Sequence, residues 1–256
     1  MTIGLTLEGL SAYLLVFCRM GAMLFFNPVL ARRNVPTQVK AALALGMTLL
    51  LAPTVGAGYT PPTETFALLL QMVLELLAGA ACGYVFQLYY YLLFMVGDII
   101  DTGFGLSMAK VFDPGTSLQT SLSGNLMQML FVLYFFATDS HLVFVRLMAA
   151  SYDVVGVGAV QFGAQVGSFM MTLFSSAFAL AMQLTLPFLA ASFVLEIAMG
   201  VLMKLIPQIN VFVIHFQFKI LLGLVLLFLF ASPTANFVQN YMNTMFSKMQ
   251  QLLGAL

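Results

Sequence analysis

Charge is what this 256-residue sequence has least of: Asp, Glu, Lys and Arg make up 7% of it, nine basic residues against nine acidic. Soluble globular domains carry about 25%, so a surface drawn from this composition cannot be mostly wet. The chain belongs in a membrane or inside an apolar assembly. Its zero net charge leaves no basic stripe for phosphates, which argues against a nucleic-acid partner. Cysteine is almost as scarce. Cys18 and Cys82 both lie within apolar runs, where a thiol serves as a small buried hydrophobe rather than half of a disulfide or a metal ligand.

The motifs that carry chemistry are missing too. No H-E-x-x-H, G-x-x-x-x-G-K-[ST] or C-x-x-C occurs. There are two histidines: His141 follows TDS at a break between helices, and His215 sits among phenylalanines. Each reads as a buried imidazole with one hydrogen bond. The serines of SLSG, 121–124, have no base and no oxyanion hole assigned to them by the sequence. The expectation is no enzyme and no cofactor. At the start, MTIGLTLEGL has no basic n-region and Arg19 interrupts the apolar run, so a cleaved signal peptide is not expected.

Long hydrophobic runs are present in excess. Hydrophobic residues make up 62% of the chain and its mean hydropathy is +1.03. The runs are 10–30, 41–53, 66–96, 126–150, 168–206 and 211–232. A helix needs about 20 residues to cross a hydrocarbon layer of about 30 Å, and these lengths fit that template poorly. The run 41–53 stops short at Pro53, 66–96 is overlong, and 168–206 holds Pro187 near its middle. The last reads as a long kinked helix or a tight helical hairpin. With no tandem repeat and no low-complexity linker, the expected fold is one all-α, membrane-associated domain over 1–256, made of long kinked helices and helical hairpins.

ARRNVPTQVK, 31–40, carries Arg32, Arg33 and Lys40 and no acid, and so reads as cytoplasmic. After residue 96 the charge rule is silent, because 97–125 sets one Lys against three Asp. Uneven runs and a silent charge rule indicate that some helices pack on protein rather than lipid. The C-terminal FVQNYMNTMFSKMQQLLGAL is amphipathic, with Phe237, Val238, Tyr241, Met242, Met245, Phe246, Met249, Leu252, Leu253 and Leu256 on one face. Its polar face has a single Lys248, whereas interfacial lipid helices favour many basic residues. A helix lining a watery passage, or packed against similar helices, fits better.

Six charges lie inside the apolar runs: Arg19, Glu75, Arg146, Glu196, Lys204 and Lys219. Charge at membrane depth is costly and faces partners or water. Arg19, Glu75, Glu196 and Lys204 read as buried charges that pair helices, with Glu196 and Lys204 on one helix face. The alternative is a secondary ion or solute transporter that uses the carboxylates of Glu75 and Glu196. The 18 methionines, spread over the whole chain, read as adaptable core filler.

Three stretches in this order resemble the FliR family, whose injectisome counterparts are the T components of the export apparatus. They are VPTQVKAALALGMTLLLAP, GDIIDTGFGLSMAKVFDP, and LPFLAASFVLEIAMGVLMKLIPQINVFVIHFQFKILLG with its Pro-Gln-x-Asn-Val-Phe signature. The likeness covers roughly residues 10–240. It implies a component of the export gate of a type III protein secretion system, forming part of the pore through which unfolded substrates leave the cytoplasm; the motifs do not separate a flagellar from an injectisome system, and overall likeness leans to the flagellar one. The implied partners are FliP-like and FliQ-like subunits, FlhA-like and FlhB-like proteins, unfolded export substrates and membrane lipid. The implied place is the bacterial inner membrane at the base of the flagellar basal body. A FliP-like part would be followed by a FliQ-like part, with the boundary at about 150–167.

By the same resemblance, Gly103, Phe104, Gly105, Val111, Phe112, Asp113 and Pro114 fall on a pore plug loop. Pro207, Gln208, Asn210, Val211 and Phe212 fall on the turn of a late hairpin at the cytoplasmic entrance. Two departures stand out: Thr102 replaces a glutamine often found before the loop glycine, and HFQFKI, 215–220, stands where the family usually has a Gly and a Pro. The soft stretch 97–117 then has a physical reading. Irregular backbone at membrane depth is tolerated where protein buries it or water lines it. Gly97, Gly103, Gly105 and Gly115 permit tight backbone, Phe104, Val111 and Phe112 supply sealing bulk, and Asp98, Asp101 and Asp113 keep the segment soluble when displaced.

Overall fold

The computed structural model describes residues 7–30, 35–108, 121–206 and 211–256. Its elements are α1 (Leu7–Phe25), α2 (Thr37–Val55), α3 (Thr65–Gly103), α4 (Leu122–Ala137), α5 (Ser140–Val154), α6 (Ala164–Leu205), α7 (Val211–Leu229) and α8 (Ala231–Leu253), with one 3-10 turn at Leu106–Met108. Among the described residues there is no strand, in agreement with the all-α expectation.

Three element boundaries differ from the run-based expectation, each for a local reason. The run 41–53 is only the middle of α2: the polar turn from Thr37 extends it at one end, and the helix passes Pro53 to reach Val55. A proline so near the end forfeits one helical hydrogen bond, and the Gly56 N–H donates to the Ala52 carbonyl at 2.9 Å to close the turn. The resulting 19 residues are long and apolar enough to cross a membrane. The run 126–150 is two helices, α4 and α5, bent by 73°. The bend is at Asp139, which has φ 55°, a left-handed conformation that short polar side chains accept better than others do. The run 211–232 ends similarly, with α7 and α8 bent by 60° and Pro233 in the first turn of α8, where its missing N–H costs least.

The proline in 168–206 has the opposite outcome. Pro187 lies within one unbroken 42-residue helix, α6, so that run is the long helix and not the hairpin. Both α6 and the 39-residue α3 are about 60 Å long, twice the roughly 30 Å hydrocarbon layer. Each is about twice as long as a perpendicular crossing requires.

Two compact units share these helices: one is 1–88, 135–174 and 243–256, the other 89–134 and 175–242. The units are interleaved along the chain, and α3, α4, α6 and α8 each contribute to both. In the first unit α1 approaches α3 at a G-x-x-x-G pair. A Cβ on Gly79 would strike the Arg19 carbonyl oxygen and lie 2.8 Å from the Ala22 Cβ, and one on Gly83 would strike the Phe26 Cβ. Small residues at this spacing let helix backbones meet without side chains between them. Phe86 then stands edge-on to Phe135 and Phe144, with ring centroids 5.4 and 5.5 Å away. In the second unit Tyr241 lies 4.7 Å from Tyr89, ring to ring, and its hydroxyl donates to the Tyr89 carbonyl at 3.2 Å.

The amphipathic stripe of α8 is real, and its cover is the chain itself: Val238, Tyr241, Met242, Met245, Phe246, Met249, Leu252 and Leu253 are all buried. Elsewhere apolar surface is left open. Leu186, Phe193, Val194, Ile197 and Val201 of α6, and Phe218, Leu221, Leu224, Val225 and Phe228 of α7, are exposed. Only 17% of the most apolar stretch of α2, and of α6, is buried within the chain, so lipid or other subunits must cover the rest.

Gly79→Val should destabilise the detergent-solubilised protein by about 1–3 kcal/mol, the usual cost of forcing extra carbon into a close contact. Gly46→Ala, where an added Cβ meets nothing within 4 Å, should be neutral or stabilising by about 0.5–1 kcal/mol. Thermal unfolding of the two variants checks this, and equal melting points would mean that α1 does not rest on Gly79.

Candidate functional site

Arg19 is the largest fully buried side chain among the described residues, 1% exposed. Its five N–H donors are all used. Nε and Nη2 donate to the two oxygens of Glu75 at 2.5 and 3.0 Å. Nη1 donates to the carbonyls of Ser151 and Val155 at 3.1 and 2.8 Å, and Nη2 also to that of Gly156 at 3.3 Å. Those carbonyls belong to the C-terminal end of α5, where helices leave acceptors unpaired and favour a cation. The Tyr152 ring lies 4.3 Å from the guanidinium carbon and adds a cation–π contact. Glu75, 0% exposed, also accepts the Gly158 N–H at 2.7 Å. Beside this cluster, burial and the Glu75 carboxylate push the Tyr59 hydroxyl up, and that hydroxyl donates to Gln71 Oε1. Arg19 and Glu75 therefore pair α1 with α3, and Arg19 also caps α5.

Glu196 and Lys204 behave differently from the expectation. Neither is buried in this chain: both are exposed, Glu196 at 44%. Glu196 takes its ion pair from α7, with Lys219 Nζ 2.7 Å from its Oε1. A residue two turns away on one helix is too distant to reach, whereas a neighbouring helix brings its own lysine alongside.

These two pairs should respond differently to neutralisation. Glu75→Gln leaves the Arg19 charge buried without its counterion and should cost about 3–5 kcal/mol. Glu196→Gln removes a half-exposed pair and should cost at most about 1 kcal/mol. Melting temperatures and purified yields of the two variants measure the contrast.

The third cluster lies where α3 ends. Gly97 occupies the place where a side chain would overlap the backbone of Ser123 and Gly124, and a Cβ on Gly124 would in turn lie 2.9 Å from the Phe94 carbonyl oxygen. This approach sets the start of α4 against the last turns of α3. One turn further on, the Asp101 carboxylate, 1% exposed, accepts the Ser121 hydroxyl at 2.6 Å and the Ser123 N–H at 3.2 Å through Oδ2. Ser121 Oγ accepts the Gly124 N–H at 2.9 Å. Two of the orphan N–H groups at the head of α4 are thereby satisfied, one by each side chain, and the carboxylate sits at the positive end of the helix. The serines of SLSG are a helix cap. Asp101 is a buried acceptor, not a solubilising charge, which corrects that part of the sequence reading.

The aromatic that follows is equally committed. Phe104 is fully buried, and Gly223 of α7 makes room for it: a Cβ there would lie 2.7 Å from the Phe104 Cβ. Gly105, with φ +75°, backs onto Phe216, and Gly103 lies against Ser192. Phe104 is thus an anchor of its own subunit and not free sealing bulk. Val111, Phe112, Asp113 and Pro114 lie outside the described residues, as do Pro207, Gln208 and Asn210; Phe212 falls on the first turn of α7.

Little else invites chemistry. His141 Nδ1 and His215 Nε2 are buried without a hydrogen-bond partner. Among the described residues no three of His, Cys, Asp and Glu come together to hold a metal. A cavity of about 420 Å³ between α1 and α2 is walled by Leu10, Tyr13, Leu14, Phe17 and Leu49, and the Thr48 hydroxyl beside it turns back to its own helix.

Comparison with known proteins covers the whole of this architecture. A family model described as bacterial export proteins, family 1, matches residues 10–245. The flagellar biosynthetic protein FliR of Escherichia coli (strain K12) is 28% identical over 98% of this chain and 95% of its own length. FliR of Bacillus subtilis (strain 168) is 26% identical over 95% of each chain. The Yop proteins translocation protein T of Yersinia pestis is 25% identical over 86% of each.

Proposed function

The chain belongs to family 1 of the bacterial export proteins, and on that premise we propose that it is a component of the type III export apparatus that builds the bacterial flagellum. The observation that carries this reading is the likeness to FliR proteins across nearly the full length of both chains. The injectisome counterpart matches over a smaller share. In this reading the chain is a structural subunit of the export gate in the inner membrane. It works with FliP-like, FliQ-like, FlhA-like and FlhB-like proteins and passes unfolded substrates out of the cytoplasm. It has no catalytic role, and a FliP-like part precedes a FliQ-like part at about 150–167. The open apolar faces of α6 and α7 support assembly, because a single chain leaves them uncovered.

The transporter reading loses its main support. Both Glu75 oxygens are held by Arg19, and one of them also by Gly158, whereas an ion path needs a carboxylate that can exchange its partner.

The plug is the finer part of the proposal, and the committed position of Phe104 narrows it. Closure falls to Val111 and Phe112, while Gly103, Phe104 and Gly105 anchor the near end. Aromatic bulk excludes water from a narrow passage, and alanine leaves a wet gap. Phe112→Ala should leave the assembled complex intact and let a small, normally excluded solute enter cells. Phe104→Ala should first reduce subunit stability, by about 3–5 kcal/mol as for other buried aromatics. Motility and export in a deletion strain complemented with this chain test the wider reading: failure to complement, with the subunit present in the membrane, counts against it. Tight membranes around an assembled Phe112→Ala complex count against the plug alone.

A further inference from the structure

We propose that the cavity between α2 and α5 binds a phospholipid whose headgroup carries a phosphate and a terminal ammonium, with the phosphate on Arg146 and the ammonium on Asp153. The cavity has a volume of about 580 Å³. Thr54 and Val55 of α2 line it together with Arg146, Ala149, Ala150 and Asp153 of α5. Arg146 and Asp153 are exposed, and among the described residues neither side chain makes a hydrogen bond or an ion pair. Arg19 is paired with Glu75, and Lys219 with Glu196. Arg146 interrupts an apolar run as they do and has no such partner in the chain. A charge in that setting faces a partner or water. Asp153 is placed against the preference of its own helix. It lies in the last turn of α5, the end whose dipole disfavours an acid. Arg19 satisfies the carbonyls of Ser151 and Val155 there, but the Asp153 carboxylate has no cation. α2 ends at the same cavity, and the last carbonyls of a helix lack intrahelical donors. Together they call for a positive group.

The order of groups along α5 identifies the occupant. Arg146 and Asp153 are seven residues apart, hence on one helix face and about 10.5 Å apart along the axis. Ala149 and Ala150 lie between them and leave that interval open. Leu142 and Val143 precede Arg146 on the same face, and both are exposed. The face therefore runs apolar, basic, small, acidic. A phospholipid has the same order, from acyl chains through phosphate to ammonium, and an extended arginine side chain covers the difference in length. The depth agrees as well. α2 is long and apolar enough to cross a membrane, a crossing helix ends at the headgroup layer, and Thr54 and Val55 form its last turn. A headgroup without an ammonium would set no cation against Asp153. A partner helix of opposite pattern answers the two charges alone. The lipid also answers the apolar residues before Arg146 and the position at the end of α2.

The test uses the full chain in its assembled complex, in mild detergent, titrated with phosphatidylethanolamine or phosphatidylglycerol. Native mass spectrometry counts the lipids retained. The parent is compared with Arg146→Gln, Asp153→Asn and Ala150→Phe, the last of which fills the cavity and keeps both charges. The parent should retain one more ethanolamine lipid than the Ala150→Phe complex, and should prefer it several-fold over the glycerol lipid at that site. Arg146→Gln should weaken both lipids, because each carries the phosphate. Asp153→Asn should erase the preference for the ethanolamine lipid and leave the glycerol lipid bound as well as before or better. Should a charge variant fail to assemble, the Ala150→Phe comparison and the parent's own preference decide. Equal lipid counts and preferences in the parent and every assembled variant overturn the proposal. So does loss of assembly in both charge variants while Ala150→Phe retains lipid as the parent does, which would assign Arg146 and Asp153 to the side chains of a partner subunit.

Discussion

Much of this molecule depends on one requirement: a charge placed where water is absent must have every one of its bonds supplied by protein. Arg19 meets it with Glu75 on α3 and with the carbonyls that end α5. Neither half would be stable alone. The guanidinium compensates both a buried carboxylate and the negative end of a helix, so α1, α3 and α5 are held in one register by a single side chain. In a chain with 7% charged residues, such a group is a specific lock among many interchangeable apolar contacts.

Close backbone approach is the second condition, and glycine provides it. Gly79 and Gly83 bring α1 onto α3, and Gly97 with Gly124 bring α4 onto the end of the same helix. Association among apolar helices gains little from hiding hydrocarbon when lipid is the alternative, so packing and a few hydrogen bonds decide it. In both units a glycine contact lies beside a buried charge, within one turn of it. The glycine sets the distance at which the carboxylate or guanidinium can bond.

The long helices have a use in this scheme. α3 and α6 run about twice the thickness of a hydrocarbon layer and leave most of their apolar stretches uncovered within the chain. A solitary membrane protein has no need of such length. A subunit whose neighbours supply the remaining cover does, and likeness to export proteins along the full chain gives that surplus a reason. Gly103, Phe104 and Gly105, at the end of α3, are fixed by the same packing that joins it to α6 and α7.

Composition and pattern alone determined the class of this protein: few charges and long apolar runs allow little except membrane-associated helices, and three motifs in order pointed to the family. The stripe on α8 was also legible, because helical periodicity shows in sequence whatever covers it. Boundaries were less so. Pro53 and Pro187 lie within helices, and the bend fell instead at Asp139, since a proline's effect depends on which turn it occupies and which carbonyl it leaves. Partners were not legible at all. Arg19 meets Glu75 across 56 positions, Glu196 meets Lys219 of the next helix, and Asp101 faces inward to a helix cap. Sequence displays the cost of a buried charge, but only the packed helices decide which group stands close enough to offset it.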